Sequence, residues 1–343
     1  MDHTNVRPFE TAAAVSFPSL GLEPPDLKQL IDFDAICLRA ENKSDKTVDL
    51  TALALRRLRQ FLEEKGLSTR ADDIGARELR AFILELRHSP RFIRHPYVKK
   101  QPTILSPHAV NTYLRAIRAA WNRWLAEGLV LHTPFEHVRL PGVPRKVMPT
   151  FTDAQLDAIL QAINTKTPVG FRDYILIKTY LDTICRLSEI TSVQIPDLDL
   201  NARRIKVMGK GRRERYVYFG VKVQKLLWKY VNVYRPAPQL PTHDNLFLTH
   251  DGRPLSKNRV EAIVKKYATR AGITGVRLSP HTLRHTACLM YVRNGGDLFS
   301  LQAITGHSSL NVLRNYVNLN SDDVQVAHRK YSPIDNLKPT FRR

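Results

Sequence analysis

Cysteine is scarce in this chain, and the three present, Cys37, Cys185 and Cys288, are odd in number and far apart. That excludes a disulfide framework and offers no metal-binding spacing, so they read as small buried hydrophobes. Long apolar runs are missing as well. Nothing approaches the roughly 20 residues of a membrane-spanning helix, and no cationic-then-apolar segment opens the chain. A membrane partner is therefore set aside and a cytoplasm-like compartment is expected. Acidic side chains are short in supply: 32 Asp and Glu against 53 Lys and Arg leave a net charge of +21 and a pI near 10.1. Such an excess favours a polyanionic partner, and nucleic acid is the natural one. A Walker-type phosphate loop is absent too, because Gly209-Lys210-Gly211 lacks the Gly-x-x-x-x-Gly-Lys-Ser/Thr spacing.

What is there divides in two, since 343 residues is long for a single core. Residues 1–26, with Pro8, Pro18, Pro24 and Pro25 and little periodicity, read as a poorly ordered leader. From residue 27 apolar positions recur near a 3.6 period: Leu27, Leu30, Ile31 and Phe33, then Leu50, Leu55, Leu58 and Leu62 up to Gly66. A third helix is expected from Ala76 to Leu86, and Ser106-Pro107 opens a fourth from His108 to Glu127, stopped at Gly128. Residues 27–140 thus form a four-helix module with almost no strand signal. The basic stretch between its third and fourth helices, with Arg91, Arg94, Lys99 and Lys100, suits a loop near phosphates or an ordinary solvated loop equally well. Arg115 and Arg118 on the fourth helix join the candidate DNA contacts. Residues 141–150, with three prolines, read as the interdomain linker, and its Arg145 and Lys146 are further candidates.

The second domain, 151–343, opens with a helix capped by Thr152-Asp153 and a long apolar helix from Phe171 to Leu181. Arg186 then sits among apolar neighbours, which on its own suits a structural arginine paired with Glu189. The one persuasive β segment follows: Arg203 to Met208 and Tyr216 to Phe219 alternate, with Ile205, Val207, Val217 and Phe219 on one side and Lys210 at the tip. Asn201 to Tyr216 holds seven bases against Glu214 alone. Arg212 and Arg213 are candidate backbone contacts there, although a merely solvated hairpin would look the same. Helices resume at Val221 to Tyr234 and Lys257 to Ala271. The expected class is mainly α with a small antiparallel β-sheet, which makes the second domain α+β.

Ser279 to Tyr316 carries the chemistry. Ser279-Pro280 reads as a helix start, putting His281 and Arg284 three apart on one face, away from an apolar stripe of Leu283, Ala287 and Met290. Gly306 ends a second helix and leaves His307 on its corner, with Tyr316 on the helix beyond. A guanidinium fork fits two phosphate oxygens, imidazoles donate or move a proton, and a phenol can attack phosphorus, so the set suits a phosphodiester. A zinc site at His281, His285 and His307 would lack a carboxylate or thiol and would face the cationic Arg284.

Arg186 in Arg-Leu-Ser-Glu, Lys210 in Gly-Lys-Gly, His281 and Arg284 in His-Thr-Leu-Arg-His-Thr, His307 in Gly-His-Ser-Ser-Leu and Tyr316 nine residues later resemble the tyrosine recombinase family, of the phage-integrase and Xer type. The likeness extends into the amino-terminal half, where Leu105 to Gly128 is similar to that family's helical core-binding domain. It departs at Thr183-Ile184-Cys185, where members often carry Thr-Gly-Leu, and at Val312-Leu313, where a pair of threonines is usual. The resemblance implies a two-domain DNA clamp that cuts and rejoins strands through a covalent 3′-phosphotyrosyl intermediate. Arg186 and Arg284 would neutralise the phosphate, Tyr316 would attack it, and His281 would accept the phenol's proton. Lys210 would donate to the departing 5′ oxygen, His307 would bond the phosphate and Glu189 would orient Arg186. Because the phosphotyrosyl bond keeps the energy of the broken linkage, no ATP, metal or other cofactor is expected.

The implied partner is double-stranded DNA with inverted-repeat core sites, bound as a homotetramer by a protein that is monomeric in solution. The implied place is the cytoplasm, in association with the nucleoid. Other function classes would differ in whether and how they use these residues. A type IB topoisomerase would nick and reseal one strand without exchanging partners. A catalytically silent DNA-binding protein would lack the Tyr, Arg or Lys, and a scaffold would make no use of Tyr316.

Overall fold

The computed structural model describes residues 25–91, 101–143, 149–209, 214–306, 328–332 and 334–335. Lys210, Arg212, Arg213, His307, Val312, Leu313 and Tyr316 lie outside the described residues, as do Arg94, Lys99, Lys100, Arg145, Lys146 and most of the leader. The chain divides into two compact units, Met1–Arg145 and Lys146–Arg343.

The first unit is built on α1 (Leu27–Ala40), α2 (Asp45–Glu64), α3 (Ala76–His88) and α4 (Pro107–Ala126). Their starts follow from local chemistry. The Asp26 carboxylate accepts from the Lys28 amide at 2.7 Å while Gln29 accepts the Asp26 amide, and Ser106 accepts from the Ala109 amide ahead of Pro107. Gly66 and Gly128 take left-handed φ of 65° and 70° just past α2 and α4, and the amides that follow them reach back to Leu62 and Trp124. Leu30, Leu55, Leu58, Phe82, Leu114, Trp121 and Trp124 are buried together between the helices. One departure from expectation is a short antiparallel pair, β1 (Pro90–Arg91) with β2 (Gln101–Ile104), flanking the basic stretch read from sequence as loop. Two- and four-residue strands are too short to show alternation, so periodicity could not reveal them.

The second unit contains α5 (Asp153–Gln161), α6 (Pro168–Thr183), α7 (Leu187–Ser192), α8 (Val221–Lys229), α9 (Lys257–Arg270), α10 (Pro280–Arg293) and α11 (Leu298–Thr305). Its antiparallel sheet has the order β3 (Leu198–Asp199), β4 (Arg204–Met208), β5 (Glu214–Tyr218), with Ile205 facing Val217. β3 was not expected, and β4 begins one residue late because Arg203 takes a φ of 50°. β5 begins earlier than its apolar alternation indicates, at Glu214, because the backbone pairing of Met208 with Glu214 needs no apolar side chain. The expected helix from Val221 closes as one π-helical turn, Tyr230–Tyr234. Ile205, Val207, Val217 and Phe219 are buried against Ile175, Leu176 and Tyr180 of α6, so the sheet lies over the longest helix of this core. Of the cysteines, Cys185 and Cys288 are buried, whereas Cys37 is only half-buried.

Candidate active site

α6 ends abruptly at Ile184, whose φ of 51° and ψ of 24° are left-handed. For a β-branched residue this conformation costs of order 1–3 kcal/mol. Burial opposes the cost: Ile184 is 3% exposed and packs with Ala287, Cys288 and Leu301. The bend turns the chain so that Arg186 becomes the N-cap of α7. There the Arg186 amide donates to Glu189 Oε2 at 2.7 Å, and its guanidinium donates through NH1 to Glu189 Oε1 at 2.9 Å and through NH2 to the Gly306 carbonyl at 2.6 Å.

Arg284 arrives from α10. Sequence pattern suggests a side chain turned away from the core, but the residue is only 6% exposed. It is buried because it caps two helices: NH1 donates to the Ile184 carbonyl at 2.6 Å, at the end of α6, and NH2 to the Thr305 carbonyl at 2.9 Å, at the end of α11. Gly306 is required at the meeting point. Its φ is 64°, and a Cβ there would stand 3.1 Å from the Arg215 guanidinium carbon and 3.2 Å from Arg186 NH1. Of five guanidinium N–H donors, Arg186 and Arg284 each spend two on these contacts among the described residues.

Glu189 is the acid at the centre. Burial alone would raise its pKa, but hydrogen bonds from Arg215 and from the Arg186 amide outweigh that and hold the carboxyl below its ordinary range. Arg215 was counted from sequence only as one base of the hairpin. It lies on β5 in register with buried Val217 and Phe219, and a charge on the apolar side of a strand signals a buried partner.

His281, exposed on the first turn of α10, places Nε2 2.8 Å from His285 Nε2, the rings edge-on. One nitrogen of that contact must carry a hydrogen and the other must not, so at least the accepting imidazole is neutral. Burial lowers the pKa of both, with Arg284 and Arg277 adding to it at His281; at His285, burial, His281 and Arg284 bring the value to about 4. Folded-state values below the ordinary 6.5 mean that this contribution to stability is present above about pH 6.5 and is lost as pH falls toward 4. The unfolding midpoint should therefore drop between pH 7.5 and 4.5 more steeply in the parent than in His285→Gln, as calorimetry would read; equal slopes would remove the pair as the source.

The structure brings Arg186, Glu189 and Arg284 together at the end of α11, with His281 one helical turn from Arg284. Arg115 is exposed on α4, whereas Arg118 is partly spent inside its own unit, donating to the Phe135 carbonyl at 3.3 Å and lying over the Phe135 ring. Arg91 contributes its backbone to β1.

Residues 149–322 match the phage integrase family. A tyrosine recombinase XerD of Xanthomonas axonopodis pv. citri is 32% identical over 237 residues, 66% of this chain and 77% of that protein. A tyrosine recombinase XerC of Lactobacillus leichmannii is 27% identical over 84% of this chain and 94% of its own length. Among solved structures, the Tn1549 transposon integrase in complex with a circular intermediate DNA superposes with a TM-score of 0.68 at 21% identity, over 89% of this chain and 99% of that one. The XerH site-specific recombinase bound to palindromic difH substrate gives 0.66 at 20%, over 90% and 85%.

Proposed function

We infer the reaction from one premise: this chain belongs to the phage integrase family and is a tyrosine-type site-specific DNA recombinase. The observation that carries the residue assignments is the meeting of two guanidiniums from separate elements on the end of α11, each with N–H donors to spare among the described residues. A phosphodiester repels a phenolate. Arg186 and Arg284 offset that repulsion at the non-bridging oxygens and stabilise the added charge of the pentavalent transition state. Tyr316 forms the bond to phosphorus as the bond to the 5′ oxygen breaks. Its proton, held with a pKa of about 10 in water, passes to the site's acceptor, His281, and Lys210 protonates the leaving 5′ oxygen. His307 donates to the phosphate. The 3′-phosphotyrosyl ester is then open to attack by a 5′ hydroxyl from the same or another strand.

On this reading the substrate is duplex DNA with inverted-repeat core sites, clamped by both units, and the protein is monomeric in solution and tetrameric on paired sites, in the cytoplasm with the nucleoid. Handing the C-terminal tail, residues 320–343, to the next protomer generates a closed ring, and a ring of four is what exchanging strands between two duplexes requires. In that tail Tyr331 and Ile334 are 62% and 76% exposed, apolar surface suited to a neighbouring protomer. Among the described residues no helix is long and apolar enough to cross a membrane.

The reading is tested by incubating the protein with a duplex nicked beside its cleavage point, which should leave a denaturation-resistant protein–DNA adduct. Binding should also weaken steeply with salt. The log–log slope of affinity against salt should exceed about 3 in magnitude, since roughly one counterion is released per neutralised phosphate; a shallower slope would rule out a clamp.

A further inference from the structure

We propose that Arg215 is a positioning residue of this reaction: by saturating Glu189 from the sheet side it leaves the charge of Arg186 uncompensated for the scissile phosphate, and it fastens β5 to the end of α11. The inference rests on the recombinase reading above and assigns a role that the phosphate-binding arginines do not themselves fill.

Glu189 is buried, its side chain 1% exposed, and its carboxylate receives four donors. Oε1 takes Arg186 NH1 at 2.9 Å and Arg215 NH1 at 2.7 Å; Oε2 takes the Arg186 amide at 2.7 Å and Arg215 NH2 at 2.8 Å. A carboxylate offers about four lone-pair sites, so this one is full. Arg215 holds it with a two-pronged fork, and Arg186 is confined to a single guanidinium N–H. One anion against two cations leaves one positive charge over, and the cation with donors to spare toward α11 is Arg186.

Without Arg215 two lone pairs on a buried carboxylate stand empty. The neighbour able to fill them is Arg186, whose guanidinium would swing into the fork geometry, give up its hold on the Gly306 carbonyl and be neutralised. The bare carboxylate would also repel the phosphate. Arg215 further donates through Nε to the Ile304 carbonyl at 3.1 Å, so β5, the strand that follows Lys210 in the chain, is tied to the helix end that precedes His307. A lysine could not span both carboxylate oxygens and that carbonyl from one ammonium.

The experiment measures single-turnover cleavage of a nicked suicide duplex at saturating DNA, with Kd and unfolding midpoint in parallel. It compares the full-length parent, Arg215→Gln, Arg215→Lys and Arg215→Gln combined with Glu189→Gln. Loss of an outer residue that orients a ligand commonly costs about tenfold to a hundredfold in activity, and a drop in that range is expected for both single variants, with Kd within about threefold of the parent. The double variant should cleave at least about fivefold faster than Arg215→Gln alone, because neutralising Glu189 frees Arg186. A merely structural Arg215 gives the opposite order, since the double variant loses more contacts. Where the glutamine variant folds poorly, Arg215→Lys, which keeps the charge, still decides the matter by its rate at unchanged Kd. Cleavage by Arg215→Lys within about threefold of the parent, or a double variant no faster than Arg215→Gln, overturns the proposal. A parent that forms no adduct overturns the recombinase reading itself, and this assignment with it.

Discussion

Tyr316→Phe should bind its duplex as tightly as the parent and leave no covalent adduct. The substitution removes one oxygen, the atom that the proposed mechanism bonds to phosphorus, and leaves the rest of the side chain unchanged. Affinity is supplied by the cationic surface of a chain with net charge +21, which one phenol does not alter. Adduct yield on a denaturing gel, with a mobility-shift Kd beside it, separates the two quantities. The chain has 12 tyrosines, so an adduct of undiminished yield in the Phe variant would require another nucleophile. Three described tyrosines of the catalytic unit are poor substitutes. Burial raises the phenols of Tyr180 and Tyr230, and at Tyr267 burial and the adjoining Asp173 push the value to about 12. Tyr267 also spends its hydroxyl on Asp173 at 2.9 Å.

The helices of both units were legible because capping and period speak locally. Asp26, Ser106, Thr152 and Ser279 each stand at the N-cap that their type predicts. Arg186 and Glu189 were legible as a pair, because three residues apart at a helix start is contact distance. The burial of Arg284 was not. Its partners, the carbonyls of Ile184 and Thr305, are backbone atoms distant in sequence, and no side-chain pattern announces a backbone acceptor. Ile184 is a sharper case. Family likeness puts a glycine there, and the chain keeps the left-handed bend without one, its strain opposed by packing on Leu301 that no local rule can foresee. Arg215 is hard to pick out for a related reason: composition hides it among seven bases, whereas its place on the inward side of β5 singles it out.

Arg284→Ala should lower single-turnover cleavage by about three orders of magnitude or more, and Arg284→Lys by at least about a hundredfold, from the loss of one or two transition-state donors. The stability of the two variants should differ as well. Arg284 donates to the last carbonyls of α6 and α11, and each helix end carries roughly half a negative charge, so the two together balance one buried cation without a carboxylate. On the proposed mechanism this arrangement matters, because a carboxylate partner would neutralise the guanidinium before the phosphate arrives. Alanine leaves both carbonyls without this partner in a buried place, at about 1–3 kcal/mol each and so about 2–6 kcal/mol together, which in a unit of this size is about 4–24 °C of unfolding midpoint. Lysine keeps the charge near the helix ends but can reach only one carbonyl well, so its midpoint should fall between those of the parent and the alanine variant. Its cleavage should stay close to the alanine value, because a point charge cannot present two parallel donors to non-bridging oxygens. Calorimetry and suicide-substrate kinetics on the same preparations would read both effects. Lysine cleaving within about tenfold of the parent would show that charge alone suffices at this position, and that the two helix ends hold Arg284 for the sake of the fold and not of its planar fork.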